Sequence, residues 1–156
     1  METAPILDVE SFYAHAIAIE REAVRRYREF EAYFQGRGDE VLAGLCGQLA
    51  QHEDDHLRAL GEASRGLALP ELDPASHRWL SRAAEAGGEF YRVVNAQQLL
   101  AIALASECDA LGFFEWVAST TPEAGVRALA GEMVRDEMDH VRWVRDAIEY
   151  HRDAVV

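Results

Sequence analysis

The sequence predicts an all-α protein: a four-helix bundle made of two antiparallel helical hairpins joined by a long crossover between helices 2 and 3. Three observations carry this. Apolar residues recur at alternating spacings of three and four along four long stretches rich in Ala, Leu, Glu and Arg. The four prolines, Pro5, Pro70, Pro74 and Pro122, all lie outside those stretches, where none can interrupt a helix. With 49% apolar residues in a chain of 156, one domain spanning the whole chain can bury a core without help from disulfides.

Helix 1 is expected from Asp8 to Gln35, ended by Gly36 and Gly38. Helix 2 follows from Asp39, whose side chain suits an N-cap, to Ser64, with Gly66 as its stop. Residues 66 to 92 hold two prolines, the pair Gly87-Gly88 and a short amphipathic piece around Trp79, and read as a connection. Helix 3 is expected from Val93 to Ala118, and helix 4 from Pro122, in the first helical position after a Thr121 cap, to Tyr150. The links between helices 1 and 2 and between helices 3 and 4 are short, whereas the one between helices 2 and 3 can travel the length of a bundle. That is the ferritin-like arrangement.

Composition excludes several classes of function. A net charge of −13 repels nucleic acid and anionic lipid, so neither is an expected partner. The start, METAPILDVESF, lacks the basic residues and apolar run of a secretion signal. Every later apolar stretch is broken by charges before membrane-spanning length, so a soluble protein is expected. The two cysteines, Cys46 and Cys108, form no CxxC pair, which argues against a thiolate zinc site or a disulfide framework and fits a reducing cytoplasm. Both read as small packing residues.

The inward stripes carry the chemistry. On helix 1 the stripe runs Phe12, Ala16, Glu20, Ala23, Tyr27, Phe30; on helix 2, Leu42, Leu45, Leu49, Glu53, His56, Leu60. On helix 3 it runs Val93, Ala96, Leu100, Ala103, Glu107, Ala110, Phe114; on helix 4, Val126, Leu129, Met133, Glu137, His140, Val144. Each helix thus places one carboxylate among its apolar residues near mid-length, and helices 2 and 4 add a histidine three residues later. An ionised carboxylate taken out of water costs on the order of several kcal/mol even after relaxation. A folding stability of roughly 5 to 15 kcal/mol could not absorb four of them. No Lys or Arg falls on the stripes at this level. Two divalent cations would balance the four carboxylates, with both imidazoles neutral and coordinating. The three-residue step from Glu to His puts both on one helix face, so each His can bind one metal while its Glu bridges two. The competing structure, a bundle of mutually hydrogen-bonded carboxylic acids, founders on the same desolvation cost.

The sequence also repeats itself. AIAIEREAVRRY (16–27) and ALASECDALGFF (103–114) share an Ala-x-x-x-Glu-x-x-Ala-x-x-x-aromatic frame, and HEDDHLRAL and DEMDHVRWV share Glu-x-Asp-His. One hairpin used twice would relate two metals by an approximate twofold axis. Glu20 and Glu53 are separated by 33 residues but Glu107 and Glu137 by 30. A tighter turn at Thr120-Thr121-Pro122 accounts for this, and a register with Leu104 at the ligand level stays open. Of the side chains nearby, Tyr27 reads either as a core tyrosine or as a hydrogen-bond donor to a ligand. Asp136 stands where it could accept a proton from the outer nitrogen of a ligand histidine across the bundle. His15, His52, His77 and His151 fall off the metal-level stripe and read as solvated.

On these residues, AIAIE, EDDH, ASECDA and EMDH, the sequence resembles the rubrerythrin branch of the ferritin-like superfamily over nearly its whole length. The resemblance implies a centre of two iron ions that reacts with dioxygen or hydrogen peroxide. Glu20 and Glu107 would be the terminal carboxylates, Glu53 and Glu137 the bridging ones, and His56 and His140 the terminal imidazoles. Two features differ from that family: its further glutamate one turn after the helix 3 ligand is Ala110 here, and a rubredoxin-type domain with four cysteines is missing. The expected function is Fe(II) oxidation of ferroxidase or peroxidase type, the latter needing an external electron donor. A hydroxylase would need a substrate cavity, and the sequence advertises none. A non-catalytic bundle holding manganese or zinc, acting by sequestration or through a partner, is the other class. A homodimer or higher homo-oligomer is expected.

Overall fold

The computed structural model describes residues 8–72 and 95–154. These form α1 (Val9–Gly36), α2 (Glu40–Ala63), α3 (Ala96–Thr120) and α4 (Ala124–Ala154), with no strand among the described residues. None of these helices is long and apolar enough to cross a membrane. Val93, His77 and the piece around Trp79 lie outside the described residues.

Side-chain caps set the helix starts. Asp8 accepts from the Ser11 N–H at 2.7 Å, Asp39 from Leu42 at 3.0 Å and Asn95 from Gln98 at 2.8 Å, each satisfying an N–H that has no partner inside the helix. The α1–α2 turn closes through a bond from the Asp39 N–H to the Phe34 carbonyl (2.9 Å), with Gly38 in the left-handed region at φ 74°, where a side chain would be strained. The α3–α4 turn is made differently. Thr121 is extended (φ −72°, ψ 134°), as the residue before a proline must be, and its hydroxyl accepts from the Glu123 N–H at 3.2 Å. Helix α4 therefore begins at Ala124, two residues later than the sequence suggested.

The two hairpins, α1 with α2 and α3 with α4, enclose an apolar cluster at each end. One contains Phe12, Ala16, Leu60, Phe113, Phe114, Val126 and Met133; the other contains Phe30, Phe34, Leu42, Leu49, Leu99, Leu100 and Val144. The order of these residues shows that α1 and α4 run one way and α2 and α3 the other. Helix α2 thus ends at the end of the bundle where α3 also ends, while α3 starts at the opposite end, roughly 36 Å away for a 24-residue helix at 1.5 Å per residue. Rings close the first end: Phe12 stacks on Phe113 at 6.3 Å, and Phe113 meets Phe114 edge-on at 5.2 Å.

Two expectations fail here. His15 is buried, its Nδ1 donating to the Ser11 carbonyl at 2.6 Å and its ring stacked on Phe113, because α1 is covered all round from Phe12 to Ala16. Cys108 is exposed and not a packing residue, because Glu107 beside it claims the inward direction. Cys46 is buried as expected, and burial pushes its thiol up to about 12. A thiol reagent at neutral pH should therefore modify one cysteine in the folded protein, at Cys108, and two after denaturation. Mass spectrometry of the labelled chain reads this directly, and fast labelling of Cys46 in the native state would contradict the packing.

Candidate metal centre

Between the two apolar clusters lies a layer of acids and imidazoles. Glu20 comes from α1, Glu53 and His56 from α2, Glu107 from α3, and Glu137 and His140 from α4. Glu20, Glu137 and His140 are 0% exposed, Glu53 1% and Glu107 3%, and only the His56 side chain, at 12%, reaches the edge of the bundle. All six residues expected from the sequence meet there. Glu107, not Leu104, takes the ligand level, while Leu104 packs against the apolar cluster beyond. The turns do not explain the unequal spacing, since both hold three residues (37–39 and 121–123). Instead α1 runs 16 residues past Glu20 whereas α3 runs 13 past Glu107.

The six groups form two overlapping quartets, Glu20–Glu53–His56–Glu137 and Glu53–Glu107–Glu137–His140, within each of which the ligand atoms lie within 4.8 Å of one another. The Nδ1 of His56 faces oxygens of Glu20 (3.7 Å), Glu53 (3.5 Å) and Glu137 (3.6 Å). The Nδ1 of His140 faces Glu53 (2.7 Å), Glu107 (3.6 Å) and Glu137 (3.5 Å). All but one of these distances are too long for hydrogen bonds, and the short one is off the angle a hydrogen bond requires. Both oxygens of Glu20, Glu53 and Glu137 and the Nδ1 of both imidazoles are buried without a hydrogen-bond partner. Such orphaned atoms are costly in an apolar interior. Around a common cation at about 2.1 Å, neighbouring ligand atoms lie roughly 3 to 3.6 Å apart, close to the spacing seen. The donor set and its unsatisfied atoms thus fit two divalent cations, with Glu53 and Glu137 common to both positions.

Without cations the layer holds protons instead. Burial raises Glu20 well above its ordinary value, with the Glu53 and Glu137 charges adding to it. Glu107 is pushed from 4.5 to about 8, first by burial and then by Glu137. Burial opposes charge on His56 and His140, but the surrounding carboxylates overcome it and raise both far above 6.5. Metal ligation needs these groups deprotonated, so cations and protons compete for the site.

Several neighbours complete the layer. The Tyr27 hydroxyl, fully inside, donates to Glu107, and the His56 Nε2 donates to Asp136 Oδ2 at 2.9 Å, so both roles the sequence left open are present. His52, expected in solvent, packs its ring 5.4 Å from His140 and 5.1 Å from Trp143. Only its alignment with Asp136 in the repeat could have signalled that. Arg26 was missed as well. It is 4% exposed, donates to the Ser106 hydroxyl across the α1–α3 interface and pairs with Glu22 at 3.5 Å. Beside it a narrow cleft of about 40 Å3, walled by Ile19, Ala23, Ala103 and Ala110, reaches Glu20, Glu53, Glu107 and Glu137. No sequence signal pointed to this cavity, which exists because small side chains line it on two helices.

A bundle of two helical hairpins with a buried layer of four carboxylates and two imidazoles defines a ferritin-like protein with a site of metal-ligand type. The sequence profile of the rubrerythrin family matches residues 12–147, and the chain belongs to that family. Among solved structures, an uncharacterized conserved protein from Magnetospirillum magnetotacticum MS-1 superposes with a TM-score of 0.80 at 26% identity, covering 92% of this chain and 95% of that one. No match was found among curated proteins.

The raised carboxyl groups set the sign of the pH dependence. Glu107 binds its proton more tightly folded than unfolded, so its contribution to stability is full below pH 4.5 and is lost as the pH rises through about 8. Glu20, His56 and His140 act in the same direction. The metal-free protein should therefore melt at a lower temperature at pH 8.5 than at pH 6, while the increase in melting temperature on adding Co(II) should be larger at pH 8.5. Thermal unfolding at the two pH values, with and without cobalt, checks both signs. Glu20→Gln, which removes a charge and keeps the shape, should leave the metal-free melting temperature at pH 8.5 equal to or above that of the parent. The same variant should lose most of the cobalt-induced increase.

Proposed function

We propose that the protein is a two-iron oxidoreductase that oxidises Fe(II) with dioxygen or hydrogen peroxide. The observation that carries the reading is the sharing of Glu53 and Glu137 between the two quartets. Two carboxylates common to a pair of cations, each capped by its own imidazole and its own terminal carboxylate, suit a pair of ions that change charge by one each. Glu20 and Glu107 would be the terminal carboxylates, Glu53 and Glu137 the shared ones, and His56 and His140 the terminal imidazoles. Family membership supports the same assignment.

Iron held by these residues would supply the two electrons that, with two protons, reduce one hydrogen peroxide to two waters. The chain provides the setting. The apolar clusters above and below exclude water, so the carboxylates act in a medium where their charge is little screened. The cleft beside Ala110 offers a small oxidant a way to the acids. Tyr27 holds Glu107 in place. As a ferroxidase the protein would release its oxidised iron, and as a peroxidase it would keep it and take electrons from an external donor. The two cysteines of this chain cannot make a four-thiolate iron site, so that donor would be a separate centre.

Protein loaded anaerobically with two Fe(II) per chain and mixed with peroxide should develop its absorbance change at one peroxide per two iron ions. Glu137→Ala, which removes a shared carboxylate, should lose the second iron and slow the reaction at least about a hundredfold. Metal analysis of purified protein showing zinc or manganese, with no response to either oxidant after iron loading, would favour a sequestering bundle instead.

A further inference from the structure

The hairpin is used twice, so each residue of one half has a counterpart in the other. HEDDH (52–56) and DEMDH (136–140) pair His52 with Asp136 and His56 with His140, and the helix 1 and helix 3 frames pair Glu20 with Glu107 and Tyr27 with Phe114. The ligand groups obey this twofold relation, as the two quartets show. Their supporting groups do not. The outer nitrogen of His56 donates to the Asp136 carboxylate at 2.9 Å. At the equivalent place beside His140 stands a second imidazole, His52, its ring at 75° to that of His140, and the buried His140 Nε2 has no hydrogen-bond partner among the described residues.

A carboxylate on the outer N–H of a ligand imidazole fixes its tautomer and orientation and pushes electron density toward the coordinating nitrogen. It also brings a negative charge near the cation. His52 supplies no such charge. Tyr27 introduces a second difference, because its hydroxyl donates to Glu107 while Phe114 offers Glu20 nothing. That bond is neutral in donor and draws density away from Glu107 even as it orients it, so its two effects oppose each other. The charge-assisted bond to Asp136 is roughly twice as strong as a neutral one and its effects add. It decides the sign.

We propose that the two metal positions are unequal: the one capped by His56 binds a divalent cation more tightly than the one capped by His140, with Asp136 as the positioning residue that sets the order. The inference rests on the two-metal reading of the site and goes beyond it, since it states which position fills first and which exchanges more readily.

Anaerobic titration of the metal-free protein with Co(II), followed by calorimetry and by the visible cobalt bands, tests it. The wild type should bind in two steps whose affinities differ by about tenfold or more. Asp136→Asn should weaken the tighter step by about tenfold and leave the weaker one in place, so that the steps merge. His52→Asp, which supplies the missing acid, should strengthen the weaker step. Asp136 is 52% exposed and His52 half-buried, so both variants should keep the helical circular dichroism of the parent. Two equal sites in the wild type, or an Asp136→Asn variant that weakens both steps alike, would overturn the inference. Failure of the wild type to take up any cobalt would overturn the two-metal reading itself.

Discussion

The fold turns on one electrostatic problem, a layer of charge placed inside an apolar bundle. Four carboxylates and two imidazoles occupy the middle of the bundle, with aromatic and aliphatic clusters packed on both sides. A few protons can hold such a layer together, as the raised carboxyl groups of Glu20 and Glu107 show, but they leave most of its oxygens unsatisfied. Cations would satisfy the oxygens and both inner nitrogens at once. The protein thus trades packing in its centre for a site, and the two apolar ends carry the stability that the centre does not.

Duplication of a hairpin gives the layer its form. Each hairpin contributes one lone glutamate and one Glu-x-x-His pair, and facing two such hairpins necessarily brings the two Glu-x-x-His glutamates to the axis. The sharing of Glu53 and Glu137 follows from that geometry and needs no further device. At the level of the layer the halves differ in what surrounds the ligand groups. Asp136 answers His52, Tyr27 answers Phe114, and the ligands themselves stay matched. The region around the layer, not the layer itself, is where this chain has individual character.

Small residues matter as much as charged ones. Ala23, Ala103 and Ala110 line the cleft between α1 and α3 that reaches the acids. The buried Arg26, tied to Ser106 and Glu22, borders that opening. A bulkier side chain at Ala110 would close the space without touching a ligand.

The buried layer of acids and imidazoles was legible because a charge on an apolar stripe violates the rule that fixes the stripe. Glu20, Glu53, His56, Glu107, Glu137 and His140 each break a run of hydrophobes at helical spacing, and the stripe alone places them inward. The helices and two of their caps, Asp39 and the Gly38 turn, were legible for a similar reason: local sequence satisfies local backbone groups. Burial of His15, exposure of Cys108 and the approach of His52 to His140 were not, since periodicity assigns a face but not what covers it. Nor could spacing alone decide between Glu107 and Leu104, or reveal that α1 outruns α3. By itself, then, the sequence determined which residues turn inward on each helix, because period and polarity are properties of one chain segment. Only the tertiary structure decided which inward residues meet, how far apart they stand and what supports them, because those distances depend on how four helices are set against one another.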